Sequence, residues 1–394
     1  MIYKIIYTAC FLMLLSFSIQ AQTNIENVLL EIENNNKSIK ANQQYSEAKK
    51  MQYKTGITLQ NPSVEYEYLN GSPVGSGNQT DFLAVQSFDF PTVYSKKKQV
   101  AELQIVQTDF QLIALKRNIL SEAKKTCLEL VYCNKRQIEF EKRLQNAEKL
   151  NSDYQKRLAK GQANILDANK AKLQLINLQN DMRFNSSQIT QLNQRLIELN
   201  GGIPIKFSDT IYQILPNIPD FNTLMDSIEL NSPTLKSLQQ EGKINQKKVE
   251  LTKSLTLPKM EAGYRYQSIL GQQYQGVHLG LTIPLWENKN TVKFQKAQTL
   301  FSEVKVEEHK NQHHSEIQQL YEKYQNLNST LTEYKQILAT INNTELLEKA
   351  LKLGEISSIQ YFMEINYFYN SFDKYLQLEK EYYLVITELY KYQL

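Results

Sequence analysis

Between Ile317 and Ile341 the apolar residues fall at steps of three and four: Ile317, Leu320, Tyr324, Leu327, Leu331, Tyr334, Leu338 and Ile341. That alternation is the seam of a coiled coil. Ile365, Phe368, Phe372, Tyr375, Tyr382, Ile386 and Leu389 keep similar spacing after a turn at Gly354. In two other stretches the period changes to two. Val277, Leu279, Leu281 and Ile283 alternate with His278, Gly280 and Thr282, and Met260, Ala262, Tyr264 and Tyr266 alternate with Glu261, Gly263, Arg265 and Gln267. Val64, Tyr66 and Tyr68 alternate likewise with Glu65 and Glu67. Such alternation over roughly ten residues suits a transmembrane barrel strand, and it also suits a soluble antiparallel sheet with one wet face.

The pattern occurs twice. Pro62 returns as Pro258, Pro91 as Pro284, and the turn Leu158-Ala159-Lys160-Gly161 as Leu351-Lys352-Leu353-Gly354. The offsets are 196, 193 and 193 positions, so one length difference separates the two strand pairs and nothing else slips. A repeat of this kind sets the architecture before any local assignment. Each copy reads helix, strand, loop, strand, very long helix, tight turn, helix. Pro91 and Gly161 are 70 positions apart, as are Pro284 and Gly354, with no Pro or Gly between. A continuous helix of that span would be about 105 Å long, so two rods of one length are expected. Gly161 and Gly354 sit where an antiparallel helix pair needs a left-handed residue. The predicted organisation is a first repeat over 22–200 with a β-hairpin at about 62–91, a linker over 201–219 broken by Pro204, Pro216 and Pro219, and a second repeat over 220–394 with a β-hairpin at about 258–284. Pro62, Pro91, Pro258 and Pro284 mark the helix–strand junctions.

The amino terminus adds a destination. Lys4 followed by the apolar run Phe11–Ile19 reads as a secretory signal over residues 1–21, too short to span a bilayer. Cys10 precedes the apolar run, so no lipid anchor is expected. No later stretch is apolar enough for a transmembrane helix, and a membrane form would have to be a barrel. Two hairpins cannot close one, so several copies would pool their strands. The 24 tyrosines suit surfaces that are apolar on one side and wet on the other. A net charge of only +4 without a basic block excludes nucleic acid as an expected partner. Cys127 and Cys133, six residues apart on one helix, are too distant to bridge and read as buried thiols.

Candidate chemistry is sparse. His309 and His313 stand one helical turn apart, the spacing for two imidazoles on one metal, with Glu316 as a third donor. The competing reading is a solvated helix face. No nucleophile–base pair, phosphate loop or carboxylate pair lies in a catalytic frame, so neither an enzyme nor a cofactor is expected. Glu65, Glu67, Glu261, Arg265 and His278 belong on the polar strand faces, as a barrel lumen would require.

The doubled Pro-strand-loop-strand-Pro-helix frame, above all Gly276-Val277-His278-Leu279-Gly280-Leu281-Thr282-Ile283-Pro284-Leu285, and the paired tip turns resemble the TolC-type outer-membrane efflux family over essentially the whole mature chain. The resemblance implies a mainly α fold with a small β part, in which long coiled-coil hairpins join four strands per chain in a trimeric barrel of twelve. It implies an outer-membrane duct with a long periplasmic portion, conducting passively alongside a periplasmic adaptor and an inner-membrane pump of the RND type. Gating and adaptor contact would lie around Gly161 and Gly354. Some members carry aspartates six and nine residues after the second tip glycine; here those positions are Gln360 and Met363, while the first repeat has Asp167 and then Lys170. Asp167 or Glu364 could supply one charged ring. The segment Leu285-Trp286-Glu287-Asn288-Lys289-Asn290 resembles the heavy-metal branch. Multidrug and type I protein-secretion ducts are the alternatives within the family. A secreted coiled-coil protein that conducts nothing is the alternative outside it.

Overall fold

A computed structural model describes residues 25–213, 217–341 and 343–394. The signal segment over 1–21, with Cys10, and Pro216 of the linker lie outside the described residues. In chain order the elements are α1 (Ile25–Asn35), α2 (Lys37–Tyr53), β1 (Ser63–Asn70), β2 (Asn78–Phe88), α3 (Pro91–Ala159), α4 (Ile165–Leu199), α5 (Phe221–Asn231), α6 (Pro233–Ser254), β3 (Lys259–Ile269), β4 (Gln272–Thr282), α7 (Thr291–Thr340), α8 (Asn343–Leu353) and α9 (Ser358–Leu389). The order helix, strand pair, long helix, return helix occurs twice. No described helix is long and apolar enough to cross a membrane.

The two expected rods are not equal. Helix α3 runs 69 residues without a break, starting at Pro91 itself, where a missing N–H costs nothing. Its counterpart starts only at Thr291, after a turn over 285–290, and stops at Thr340 before α8 resumes at Asn343. Thr340, Ile341 and Thr344 flank the stop, and β-branched side chains lose rotamer freedom in a helix. The first helix of each copy is likewise interrupted, at Asn36 and at Ser232, which are 196 positions apart. Ser232 caps α6 through its hydroxyl, with Pro233 in the first turn, and the buried Asn36 donates from Nδ2 to the Leu199 carbonyl at 2.7 Å.

The repeats are not the folding units. Among the described residues, one compact unit falls within Met1–Lys37, Ile119–Asn217 and Glu322–Lys391, the other within Ser38–Asn118, Ile218–Tyr321 and Tyr392–Leu394. Each draws on both copies. In the first unit the coiled-coil seam is as predicted: Leu327 and Leu331 are buried, Tyr324, Tyr334 and Leu338 are half-buried, and most of the residues between are exposed. Phe140, Ala147 and Leu178 join α3 to α4 in the same unit. Cys127 and Cys133 are buried free thiols, and burial pushes both above the ordinary thiol value, Cys133 up to about 11. In the second unit Val93, Val100, Leu224, Ile228, Leu235 and Ile244 are buried, with Lys96 paired to Glu250 at 2.5 Å and Asn245 donating to Ser302 Oγ at 2.6 Å.

The second unit also holds the sheet. Its order is β1-β2-β3-β4, every pair antiparallel, so the two hairpins join through β2 and β3. The first hairpin turns through the seven-residue loop 71–77, the second through Leu270-Gly271, both at positive φ, as a two-residue hairpin turn requires. The 196-against-193 difference falls here.

Candidate functional site

The strand register decides what the sheet presents. Directly opposed residues share a face. Val64 opposes Ala84, Ala84 opposes Tyr264, and Tyr264 opposes Val277. The next rows on that face are Tyr66–Phe82–Tyr266–Gln275 and Gln86–Ala262–Leu279. The alternating apolar residues of β1, β3 and β4 therefore fall on one side together with Phe82, Ala84 and Phe88 of β2, whereas Leu83 and Val85 of β2 lie on the other. The other side carries Glu65 and Glu67 of β1, Glu261 and Arg265 of β3 and His278 of β4, the residues proposed from sequence for a lumen. Arg265 sits in one row with Glu65, and Ser87 donates to Glu261 at 3.1 Å. The apolar side is unusually open for a folded sheet: Val277 is 80% exposed, Leu279 77% and Tyr66 66%. Burial of such a surface is worth about 25 cal/mol per Å², so an uncovered apolar face of this extent marks an interaction surface. Strands β1 and β4 are free edges, each with unpaired backbone groups on its outer side.

Three of the four junction prolines abut their elements: Pro62 precedes β1, Pro258 precedes β3 and Pro91 opens α3. Pro284 follows β4 but is separated from α7 by the turn over 285–290.

The two hairpin tips are built alike. After α3 the Gln162 N–H donates to the Arg157 carbonyl and Gly161 N–H to that of Leu158, with Gly161 at φ +68°. After α8 the Glu355 N–H donates to Ala350 and Gly354 N–H to Leu351, with Gly354 at φ +77°. Both are Schellman closures, which need a left-handed residue that L side chains disfavour by roughly 1–2 kcal/mol. Three residues later each return helix has its cap: Asn164 Oδ1 accepts from Leu166 N–H, and Ser357 accepts from Gln360 N–H. Behind the turns Tyr154, Ala168, Ala171, Tyr361, Phe362 and Ile365 form one buried cluster, the two alanines leaving room for the rings. Tyr154 Oη donates to Ser358 Oγ at 2.5 Å.

The charged-ring candidates fare differently. Gln360 is occupied in a capping box, its Oε1 accepting from Ser357 N–H at 2.9 Å. Asp167 is half-buried and lies 3.8 Å from Lys170 on the next turn, which offsets its charge. Glu364 is exposed. Ile165, Leu166, Ile359, Met363 and Tyr367 are all more than half exposed on the two return helices.

Sequence reasoning missed the polar ties inside the first unit. Arg143, 4% exposed, makes a two-pronged pair with Asp373 at 2.9 and 2.8 Å and lies over the Tyr369 ring at 4.3 Å. Lys135 reaches Glu379 at 2.6 Å and covers the Tyr212 ring, which stacks on Tyr383 at 4.2 Å. These partners are far apart in the chain, and no local pattern announces them.

The proposed metal triplet does not assemble. Among the described residues no three His, Cys, Asp or Glu side chains converge, and Glu316 accepts from Gln312 on its own helix at 2.8 Å. His309 and His313 instead pack ring to ring, centroids 5.6 Å apart, beside Met225, Ile228 and Leu235. His309 Nε2 and His313 Nδ1 are buried without partners. Burial, then repulsion from His313, lowers the His309 pKa below its ordinary 6.5, against weaker pull from Glu316 and Glu308. The folded state thus holds fewer protons than the unfolded chain once pH falls below that value, so stability declines with acidification. Melting temperature should drop between about pH 7 and pH 5, and His309→Gln should flatten the drop; an unchanged profile would remove His309 from the account.

No protein-family model and no curated protein matches the chain. Solved structures do. It is similar to the outer-membrane channel OprN, with TM-score 0.77 and 12% identity over 93% of this chain and 89% of that one. Similarity to CusC, whose crystal structures concern folding and transmembrane channel formation, has TM-score 0.74 at 14% identity over 94% and 92% of the two chains. The CmeC outer-membrane channel of Campylobacter jejuni gives 0.73 at 14% identity over 93% and 85%. Long helices in two similar sets, joined to four antiparallel strands, thus give this chain the fold of the TolC-type outer-membrane channels.

Proposed function

We propose that the chain is the outer-membrane exit duct of a tripartite efflux system, conducting cargo passively and performing no chemistry of its own. The observation that carries the reading is the register of the sheet. One face is mainly apolar and open over its middle rows, the other carries charge, and both edges are free. A lone four-stranded sheet with these properties would be a hazard in water. Three copies, edge to edge, would make a closed barrel of twelve strands with apolar residues toward lipid and Glu65, Glu67, Glu261, Arg265 and His278 toward a polar lumen. Hairpins of α3 with α4 and of α8 with α9 would continue the lumen into the periplasm. Their tips, around Gly161, Asp167, Gly354, Gln360 and Glu364, would narrow it and meet a periplasmic adaptor, with the exposed Leu166, Ile359, Met363 and Tyr367 as apolar contacts. An inner-membrane pump, of the RND type in this reading, supplies direction.

The cargo we assign is heavy-metal cations, on the likeness of the segment from Pro284 to Asn290 to that branch. The His309–His313 pair does not enter this assignment, since its partnerless nitrogens are buried in a small cavity shared with Met225, Ile228 and Leu235. A deletion strain should become sensitive to copper, silver, zinc or cobalt and be rescued by the gene. Sensitivity confined to drugs, or loss of a secreted protein, would replace the cargo and keep the duct. Recovery of the protein solely from the soluble periplasm, with no conductance in planar bilayers, would overturn the duct.

A further inference from the structure

The apolar series on β4 outruns its strand. Val277, Leu279 and Leu281 are followed at the same two-residue spacing by Ile283 and Leu285, 58% and 68% exposed, although β4 ends at Thr282. The next residue is Trp286, the chain's one tryptophan, 80% exposed. It stands in a tight turn, its carbonyl accepting from Lys289 N–H at 3.1 Å. On its polar side Glu287 holds Lys259 at 3.4 Å. Lys289, Lys293 and Lys296 follow at steps of four and three, all exposed and, among the described residues, in no ion pair. An apolar run closed by an indole and then by free ammonium groups is apolar on one side and wet and cationic on the other.

We infer that Leu285-Trp286, backed by Lys289, Lys293 and Lys296, is an interfacial anchor that seats in the headgroup zone of a phospholipid leaflet at the helix-proximal end of the sheet. Indole rings concentrate at that depth because their bodies prefer hydrocarbon while the N–H keeps a polar partner. Lysine stems extend from the apolar boundary and place their charge among anionic phosphates. Lipid is favoured over a second protein copy because the exposed Ile283, Leu285 and Trp286 follow directly on the open apolar residues of β4 and three unpaired lysines stand beside them, a pairing that suits anionic headgroups. The inference rests on the membrane reading of that face.

A single tryptophan lets the unaltered protein report its own depth. The full mature chain is reconstituted into phosphatidylethanolamine–phosphatidylglycerol vesicles whose acyl chains carry bromine either near the glycerol or near the chain end. The expected result is blue-shifted emission, quenched at least about twofold more strongly by the shallow bromine than by the deep one. Replacing the three lysines by glutamine should raise the phosphatidylglycerol content needed for that quenching. Protein that floats with the vesicles but is unquenched by either lipid, whether its emission is red or blue, places Trp286 in water or against another copy and overturns the anchor while leaving the duct. Protein that does not float overturns both.

Discussion

Val277→Arg is expected to abolish membrane assembly, whereas His278→Arg, one residue along, leaves it nearly intact. Val277 stands at the middle of β4, opposite Tyr264 on the open apolar face; His278 opposes Gly263 on the charged face. An arginine at the lipid midplane of a barrel costs about 2–4 kcal/mol, falling toward zero near the interfaces. In a closed assembly each copy would carry that cost. His278→Arg instead adds a cation to a face that already bears Glu65, Glu67 and Glu261. The measurement is the fraction of chain recovered in the outer-membrane fraction, with conductance in planar bilayers as a second readout. Equal loss for both variants would mean the two faces do not see different solvents. Full tolerance of both would favour the non-conducting soluble protein.

That contrast could be posed because period-two alternation is a local property of sequence, and three of the four strands, β1, β3 and β4, kept it. What sequence could not supply was the register between β2 and β3, which come from different repeats; only their pairing shows the apolar sets coinciding. The tips were legible for a similar reason. Gly161 and Gly354 hold a backbone conformation that few other residues accept, so their positions announce the turns. The signature Ser357-x-x-Gln360 was also present, and it announces the capping box that starts α9.

The unequal rods were hidden because Pro and Gly are only the strongest breakers. The stop after Thr340 comes from several weak helix formers in succession, each costing a few tenths of a kcal/mol up to about 0.7. Nothing in the repeat pattern foretold that compact units would cut across the repeats, since packing joins segments by proximity and not by ancestry. The His309–His313 spacing was read correctly as one helical turn, but the third donor depended on where neighbouring helices lie. Met225, Ile228 and Leu235 occupy that side, and they supply no ligand.

Arg143→Met is expected to lower the stability of the first unit by about 2–3 kcal/mol. The guanidinium is 4% exposed and makes both prongs of its pair with Asp373, while Tyr369 covers its face. Removing one partner of a fully buried pair costs roughly 3–5 kcal/mol. Here the Asp373 side chain is 36% exposed and can turn to water, which reduces the penalty. Arg143→Lys should not rescue, because an ammonium can neither fork to both carboxylate oxygens nor stack flat on the ring. Arg143→Met with Asp373→Leu should recover more than half of the loss, since the stranded carboxylate disappears with its partner. The test is a double-mutant cycle on chemical unfolding, with hydrogen exchange along α9 to locate the effect. Coupling above about 1 kcal/mol and faster exchange confined to α9 would make the pair the clasp that holds α9 to α3. Additive single losses would mean that Arg143 acts through packing of its stem, and that the tie between the two helices lies in the apolar seam alone.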